Sequence, residues 1–189
     1  MSLLEPSWQL LFVGISCLAG MVVSGQAETP KTESRETATF AAGCFWGVQL
    51  KFDNIKGVLD SSVGYTGGTV KNPTYEQVCT HTTGHAEAVQ LHFDPTVVTY
   101  QQLVDAFFAM HDPTQLNRQG PDIGSSYRSA IFYHSPEQKA IAEAAKQKLN
   151  AEGKYKGRVV TEIVPAGEFY AGEDYHQKFL EKRGGPACH

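Results

Sequence analysis

A cysteine held between glycines and aromatic residues, where an apolar extended run gives way to a helical one, constrains this chain more than any other feature. The stretch is Gly43-Cys44-Phe45-Trp46-Gly47. It follows the β-like run Thr39-Phe40-Ala41-Ala42 and precedes a helix-like run from Val48 to Asn54. A strand turning directly into a helix puts Cys44 at the helix N-terminus. Unpaired N–H groups and the positive end of the macrodipole favour a thiolate there. Gly43 permits the tight turn, Gly47 leaves space beside the sulfur, and Phe45 and Trp46 set large apolar faces next to a nucleophile. Taken alone, the stretch also fits a buried structural cysteine, because such a thiol behaves as a small hydrophobe. The rest of the chain decides between the two.

A chain of 189 residues, 41% hydrophobic and 19% charged, predicts one folded domain with extensions. A net charge of −4 offers no basic field, which argues against nucleic acid as a partner. The four cysteines, Cys17, Cys44, Cys79 and Cys188, include no C-x-x-C pair and are too sparse for a disulfide scaffold.

Leu10 to Val23 is almost unbroken apolar sequence, followed by Ser24-Gly25-Gln26-Ala27. Its length suits a signal-peptide core and falls short of an ordinary membrane span. Residues 1–27 are therefore read as a signal peptide, carrying Cys17, and export to a periplasmic or extracellular space is expected. Residues 1–9 lack Lys and Arg and contain Glu5, so a membrane anchor and a misassigned start codon stand as alternatives, and a cytoplasmic location with them. Residues 28–36 read as a linker, 37–183 as the domain, and 184–189 as a flexible tail ending in Cys188-His189.

Within the domain, Val58 to Tyr65 reads as a strand. Asn72-Pro73 opens a short helix with Asn72 as cap. His85 to Phe93 alternates, placing Glu87 on the same side as Val89, Leu91 and Phe93. Thr99 and Gln102 form a capping box for a helix with an apolar stripe of Leu103, Val104, Phe107 and Phe108. His111 to Tyr127 shows no period, and a loop that long is usually functional. Arg128 to Tyr133 reads as a strand, Ser135-Pro136 opens a helix that runs to Glu152, Val159 to Val164 is a strand, and Gly172 to Lys182 is weakly helical. This order predicts an α+β two-layer sandwich with a ferredoxin-like core and a C-terminal extension.

Three groups bear on chemistry: a helix-terminal thiol at Cys44, an inward carboxylate at Glu87, and a second thiol, Cys188, on the tail. A carboxylate on an apolar strand face is costly unless protonated, paired or hydrogen-bonded. A nucleophilic thiolate, an acid of raised pKa and a resolving thiol together suffice to reduce an oxidised substrate.

Six segments resemble, in order, the motifs of the A-type peptide methionine sulfoxide reductases. They are Gly43-Cys44-Phe45-Trp46-Gly47, Gly64-Tyr65-Thr66-Gly67-Gly68, Asn72-Pro73-Thr74-Tyr75, Thr83-Gly84-His85-Ala86-Glu87, His111-Asp112-Pro113-Thr114-Gln115 and Tyr127-Arg128-Ser129-Ala130-Ile131. The resemblance covers about residues 37–189. It implies that Cys44 attacks the sulfoxide sulfur and becomes a sulfenic acid, that Glu87 is the general acid, and that Tyr75 and Tyr127 bind the oxygen. It further implies that Phe45 and Trp46 enclose the S-methyl group, that Asp122 helps organise the site, and that Cys188 recycles the enzyme with a thioredoxin-like donor. The implied substrate is the S epimer of methionine sulfoxide, free or in proteins, with no cofactor or metal, and the chain is expected to be a monomer. Gln49 departs from the Glu common in the family at that position, with little consequence expected. Cys79 is read as structural.

Two other readings compete. Cys79, His81 and His85 give C-x-H-x3-H, with His92 further on, which could hold zinc or copper. A Cys-His hydrolase with His85 or His176 as base would need no electron donor.

Overall fold

The computed structural model describes residues 34–184, so the segment read as a signal peptide, most of the linker, and Cys188 lie outside the described residues. In chain order the elements are β1 (Glu36–Ala42), α1 (Phe45–Asp53), β2 (Val58–Thr66), α2 (Tyr75–Cys79), β3 (Ala86–Phe93), α3 (Tyr100–Ala109), β4 (Arg118–Gln119) and β5 (Asp122–Ile123). There follow a 3-10 turn (Ser125–Tyr127), β6 (Ser129–Tyr133), α4 (Pro136–Glu152), β7 (Glu162–Pro165), β8 (Tyr170–Ala171) and α5 (Phe179–Arg183).

The main sheet has the order β7-β6-β1-β3-β2-β8. Its four central strands, β6-β1-β3-β2, are antiparallel throughout, and α1 and α3 make the two crossovers. That is the ferredoxin-like arrangement, extended by β7 parallel to β6 and by β8 antiparallel to β2. Alternation along the strands sets the two faces. Ala38, Phe40 and Ala42 of β1 and Val89, Leu91 and Phe93 of β3 pack with Phe52 of α1 and the α3 stripe Leu103, Val104, Phe107 and Phe108. The opposite face carries Ala41, Ala86, Ala88 and Ala130, small enough for Val164, Ala166 and Phe169 to lie close against it.

Several boundaries differ from the sequence reading. β1 begins at Glu36, inside the segment read as linker, because Glu36 pairs with Phe93. The cap of α2 is Thr74, which forms a capping box with Gln77, while Asn72 stands before it in a left-handed turn at φ 46. The 111–127 loop contains the β4–β5 hairpin. Val159 and Val160 stay out of β7, since their N–H groups go to Asn150 Oδ1 and the Pro113 carbonyl. The helix expected over 172–182 reduces to α5. Ahead of it runs an irregular strap whose side chains bind β2, and Lys178 breaks the helical path at φ 55. The Thr99–Gln102 capping box forms as read.

Candidate active site

Cys44 is the N-cap of α1 and is half-buried. The turn into it requires glycine at position 43. Gly43 sits at φ 90, and a Cβ there would lie 2.7 Å from Cβ of Gln119 on the hairpin. Gln119 is fixed in turn by two hydrogen bonds with the Asp112 backbone, accepting its N–H at 3.1 Å and donating to its carbonyl at 3.0 Å.

Glu87 sits on β3, 2% exposed. Its Oε2 accepts the backbone N–H of Phe45 at 3.2 Å, so the acid is tied to the residue that follows Cys44. Burial pushes its pKa up to about 8. The Phe45 N–H opposes that shift, and the field of Asp122 adds to it. Asp122 stands on β5, opposite Gln119.

Tyr75 opens α2 and Tyr127 closes the 3-10 turn, so the two phenols come from separate elements. Burial first, and for both the negative field of Glu87, pushes each phenol above its ordinary value, so both remain hydrogen-bond donors at neutral pH. The Tyr75 hydroxyl is hydrogen-bonded to the Cys79 thiol, and the charge of Cys44 also reaches Tyr127. Cys79 is exposed at the end of α2, which removes the packing basis for reading it as structural.

Phe45 is 1% exposed, with its ring 6.4 Å from that of Trp46 and 6.0 Å from that of Tyr65. Trp46 lies parallel to Phe179 at 3.9 Å and 13°. Its indole N–H donates to Nδ1 of His176 at 3.1 Å. His176, 1% exposed, is in ring contact with Phe45, Tyr75 and Tyr175 at 5.0, 4.5 and 4.1 Å. Accepting at Nδ1 requires the neutral ring, and burial lowers its pKa to match. Glu173 pins the same strap. Its Oε2 accepts the Tyr65 hydroxyl at 2.8 Å, and its Oε1 accepts the Tyr75 N–H at 2.9 Å.

Cys44, Glu87, Tyr75, Tyr127, Asp122, Phe45 and Trp46 thus gather at the C-terminal end of β1. Sequence reasoning missed Glu173 and the structural part of His176. The run Glu173-Asp174-Tyr175-His176-Gln177, polar and aromatic in a segment without a helical stripe, was the available signal.

The geometry takes up most of the groups that the competing readings need. His85 accepts the Gly68 N–H at Nδ1, 3.1 Å, and donates from Nε2 to the Val70 carbonyl at 2.7 Å, so neither nitrogen is available as a base. His176 commits Nδ1 to Trp46, while its buried Nε2 stands 3.8 Å from Glu173 Oε2 without a hydrogen-bond partner. His81 meets Ser126, and His92 meets Asp60. Among the described residues no three His, Cys, Asp or Glu side chains are grouped to hold a metal.

Such a site, a capping cysteine with a buried acid and two phenols above an aromatic wall, can deliver a nucleophile and a proton to the two ends of a polar bond. The model of the peptide methionine sulfoxide reductase family matches residues 36–189. Peptide methionine sulfoxide reductase MsrA of Methanosarcina mazei is 60% identical over 152 residues, 80% of this chain and 72% of that protein. The crystal structure of Mxr1 from Saccharomyces cerevisiae in reduced form superposes with TM-score 0.76 at 36% identity, covering 82% of this chain and 89% of that one. Mxr1 in complex with Trx2 superposes with TM-score 0.55 at 25% identity, covering 82% and 91%. With the family match spanning the whole described domain, the chain belongs to the peptide methionine sulfoxide reductase family, A-type.

Proposed function

We propose that the methionine sulfoxide reduction of this family runs, in this chain, through Cys44 as nucleophile and Glu87 as general acid, and on the S epimer. The Cys44 thiolate bonds to the sulfoxide sulfur. The sulfur–oxygen bond gives up its electrons to oxygen, which takes the proton of Glu87 and hydrogen bonds from Tyr75 and Tyr127. That oxygen then bonds to the Cys44 sulfur as the sulfur–sulfur bond breaks and its electron pair returns to the substrate, leaving the sulfide and a Cys44 sulfenic acid, so substrate sulfur is reduced and Cys44 oxidised by two electrons. Attack by Cys188 releases water and forms a disulfide, which a dithiol donor of the thioredoxin class reduces. The yeast relative's complex with Trx2 supports that donor.

The observation that carries the reading is Glu87: a carboxyl 2% exposed, with a pKa of about 8, hydrogen-bonded to the N–H next to Cys44. At neutral pH it holds a proton to give. Asp122 helps keep it there.

Epimer selection follows from the arrangement. With the methyl against Phe45 and Trp46 and the oxygen at Glu87, Tyr75 and Tyr127, inverting sulfur drives oxygen into the aromatic wall and leaves polar groups unpaired. The test is epimer-resolved reduction of a methionine sulfoxide compound with dithiothreitol, by the parent chain and by Cys44→Ser. Consumption of the S form only, abolished in Cys44→Ser, is expected. Comparable rates on both epimers, or turnover without the Cys44 thiol, would refute the reading. The apolar Leu10–Val23 run supports export as the setting for this repair.

A further inference from the structure

The strap ahead of α5 is fastened to α1 and β2 by side chains that the reaction does not use. Gln49 is a polar residue only 1% exposed. Its Nε2 donates to the Ser61 hydroxyl at 3.1 Å and carbonyl at 3.4 Å, while its Oε1 accepts the Lys178 N–H at 2.8 Å. Lys178 stands at φ 55, ψ 36, a left-handed conformation that a non-glycine residue keeps only where its surroundings hold it. The next residue, Phe179, is the one stacked on Trp46. Lys178 Nζ also reaches Asp53 Oδ2 at 2.6 Å and Ser61 Oγ at 3.0 Å, and the Ser61 hydroxyl donates to Asp53 Oδ1 at 2.6 Å. Trp46, Gln49 and Asp53 follow one another at helical spacing, so one side of α1 grips the strap at three levels.

We propose that Gln49 is a positioning residue for substrate binding. Its amide holds the Lys178 turn, the turn seats Phe179 and His176 against Trp46, and Trp46 thereby stands where the substrate methyl group meets it. The inference rests on Trp46 being that wall. In this chain the amide donates to Ser61 and accepts from Lys178 at once, whereas an ionised carboxylate, the form open to the Glu common in the family at this position, can only accept. The charged groups around it are Asp53 on α1, Lys178 on the strap and Glu181 on α5, while β2 presents the neutral Ser61. A carboxylate at position 49 would face two acids and one ammonium.

The experiment uses the full-length chain with Trp8→Phe, which leaves Trp46 as the one tryptophan. Gln49→Glu is added, and Trp46 emission, KM for the S-sulfoxide and the single-turnover rate at saturation are followed against pH. At alkaline pH we expect shifted Trp46 emission and KM raised about tenfold, with the saturated rate within about twofold of the parent. At pH 6, where a buried carboxyl of raised pKa regains its proton and can donate again, both differences should shrink. Unchanged emission across the range overturns the inference whatever KM does, and so does a loss confined to the saturated rate. Shifted emission with a flat KM keeps the grip on the strap but refutes Trp46 as the substrate wall. If Gln49→Glu fails to fold, Ser61→Ala removes one acceptor of the amide and must move emission and KM the same way; if it moves neither, the inference falls.

Discussion

The backbone N–H of Phe45 donates to Oε2 of Glu87 across 3.2 Å, so the helix that starts at the nucleophile is hydrogen-bonded to the acid. Two influences on that carboxyl oppose each other. Burial among apolar side chains favours the protonated form, whereas an N–H at a helix N-terminus favours the charged one. Burial wins, and the Asp122 field acts with it, leaving Glu87 half-ionised near pH 8.

The rate of sulfoxide reduction should therefore fall at alkaline pH. With a pKa of about 8, Glu87 is mostly protonated at pH 7, and each pH unit well above 8 removes about ninety per cent of the remaining acid form. Single-turnover rates at saturating S-sulfoxide should show this descending limb. Glu87→Gln should be slower by roughly 10² to 10⁴ and lack the limb. A descending limb that survives in Glu87→Gln would assign the titration to another group.

Stability should move the opposite way in the same variant. The folded pKa of Glu87, about 8, exceeds the ordinary glutamate value of 4.5, so the folded state binds more protons than the unfolded one between those pH values. Its contribution to stability is fully present below about 4.5 and is lost as pH rises through 8, a change on the order of a few kcal/mol. Glu87→Gln cannot ionise and can still accept from Phe45. We expect little difference in Tm from the parent at pH 4 and a Tm several degrees higher at pH 8.5. An equal or lower Tm for Glu87→Gln at pH 8.5 would contradict the burial cost assigned to this carboxyl.

Tyr75 and Tyr127 come from different elements, both feel the charge of Glu87 and both keep their protons, so each can stabilise charge developing on oxygen. Tyr75→Phe and Tyr127→Phe should each lower the saturated single-turnover rate about tenfold, and the double variant by about a hundredfold or more. KM should change less, because the oxygen carries more charge in the transition state than in the bound substrate. Equal losses in KM and none in rate would make the tyrosines binding residues only.

What the sequence could and could not announce follows from the range of the interactions. The cap at Cys44 and the Thr99–Gln102 box are made within a few residues, and the buried side of Glu87 follows from alternation along one strand, so all three are legible locally. Asn72-Pro73 is itself a helix-opening signal that competes with Thr74, and the choice between them rests on which residue adopts extended φ and ψ. The β4–β5 hairpin pairs only two residues per strand, too few to show a period. The strap was least legible. Glu173, His176, Gln177 and Lys178 are placed by partners on β2, α1 and α2 about a hundred or more positions away, and such contacts leave no local pattern. Gln49, expected to matter little, proves to be buried at the centre of that attachment.

A Cys44 sulfenic acid must be reset, and a disulfide needs Cα atoms about 4.4 to 6.8 Å apart. The described chain ends at Gly184, the left-handed cap of α5, and α5 is joined to α1 by the stack of Phe179 on Trp46, two residues after Cys44. Four further residues lead to Cys188, a reach of at most about 14 Å from Gly184. Gly184 and Gly185 allow the chain to turn, and tethering gives the second thiol an effective concentration on the order of millimolar. One equivalent of methionine S-sulfoxide, added to reduced enzyme without a donor, should yield a Cys44–Cys188 disulfide by peptide mapping. Cys188→Ser should complete the first turnover at the parent rate and then stall with thioredoxin, while dithiothreitol still regenerates it. Cys79 is the alternative thiol, since it is exposed and hydrogen-bonded to Tyr75 within the site. A Cys44–Cys79 bond in the map, or undiminished thioredoxin-driven turnover in Cys188→Ser together with stalling in Cys79→Ser, would transfer the recycling role to Cys79.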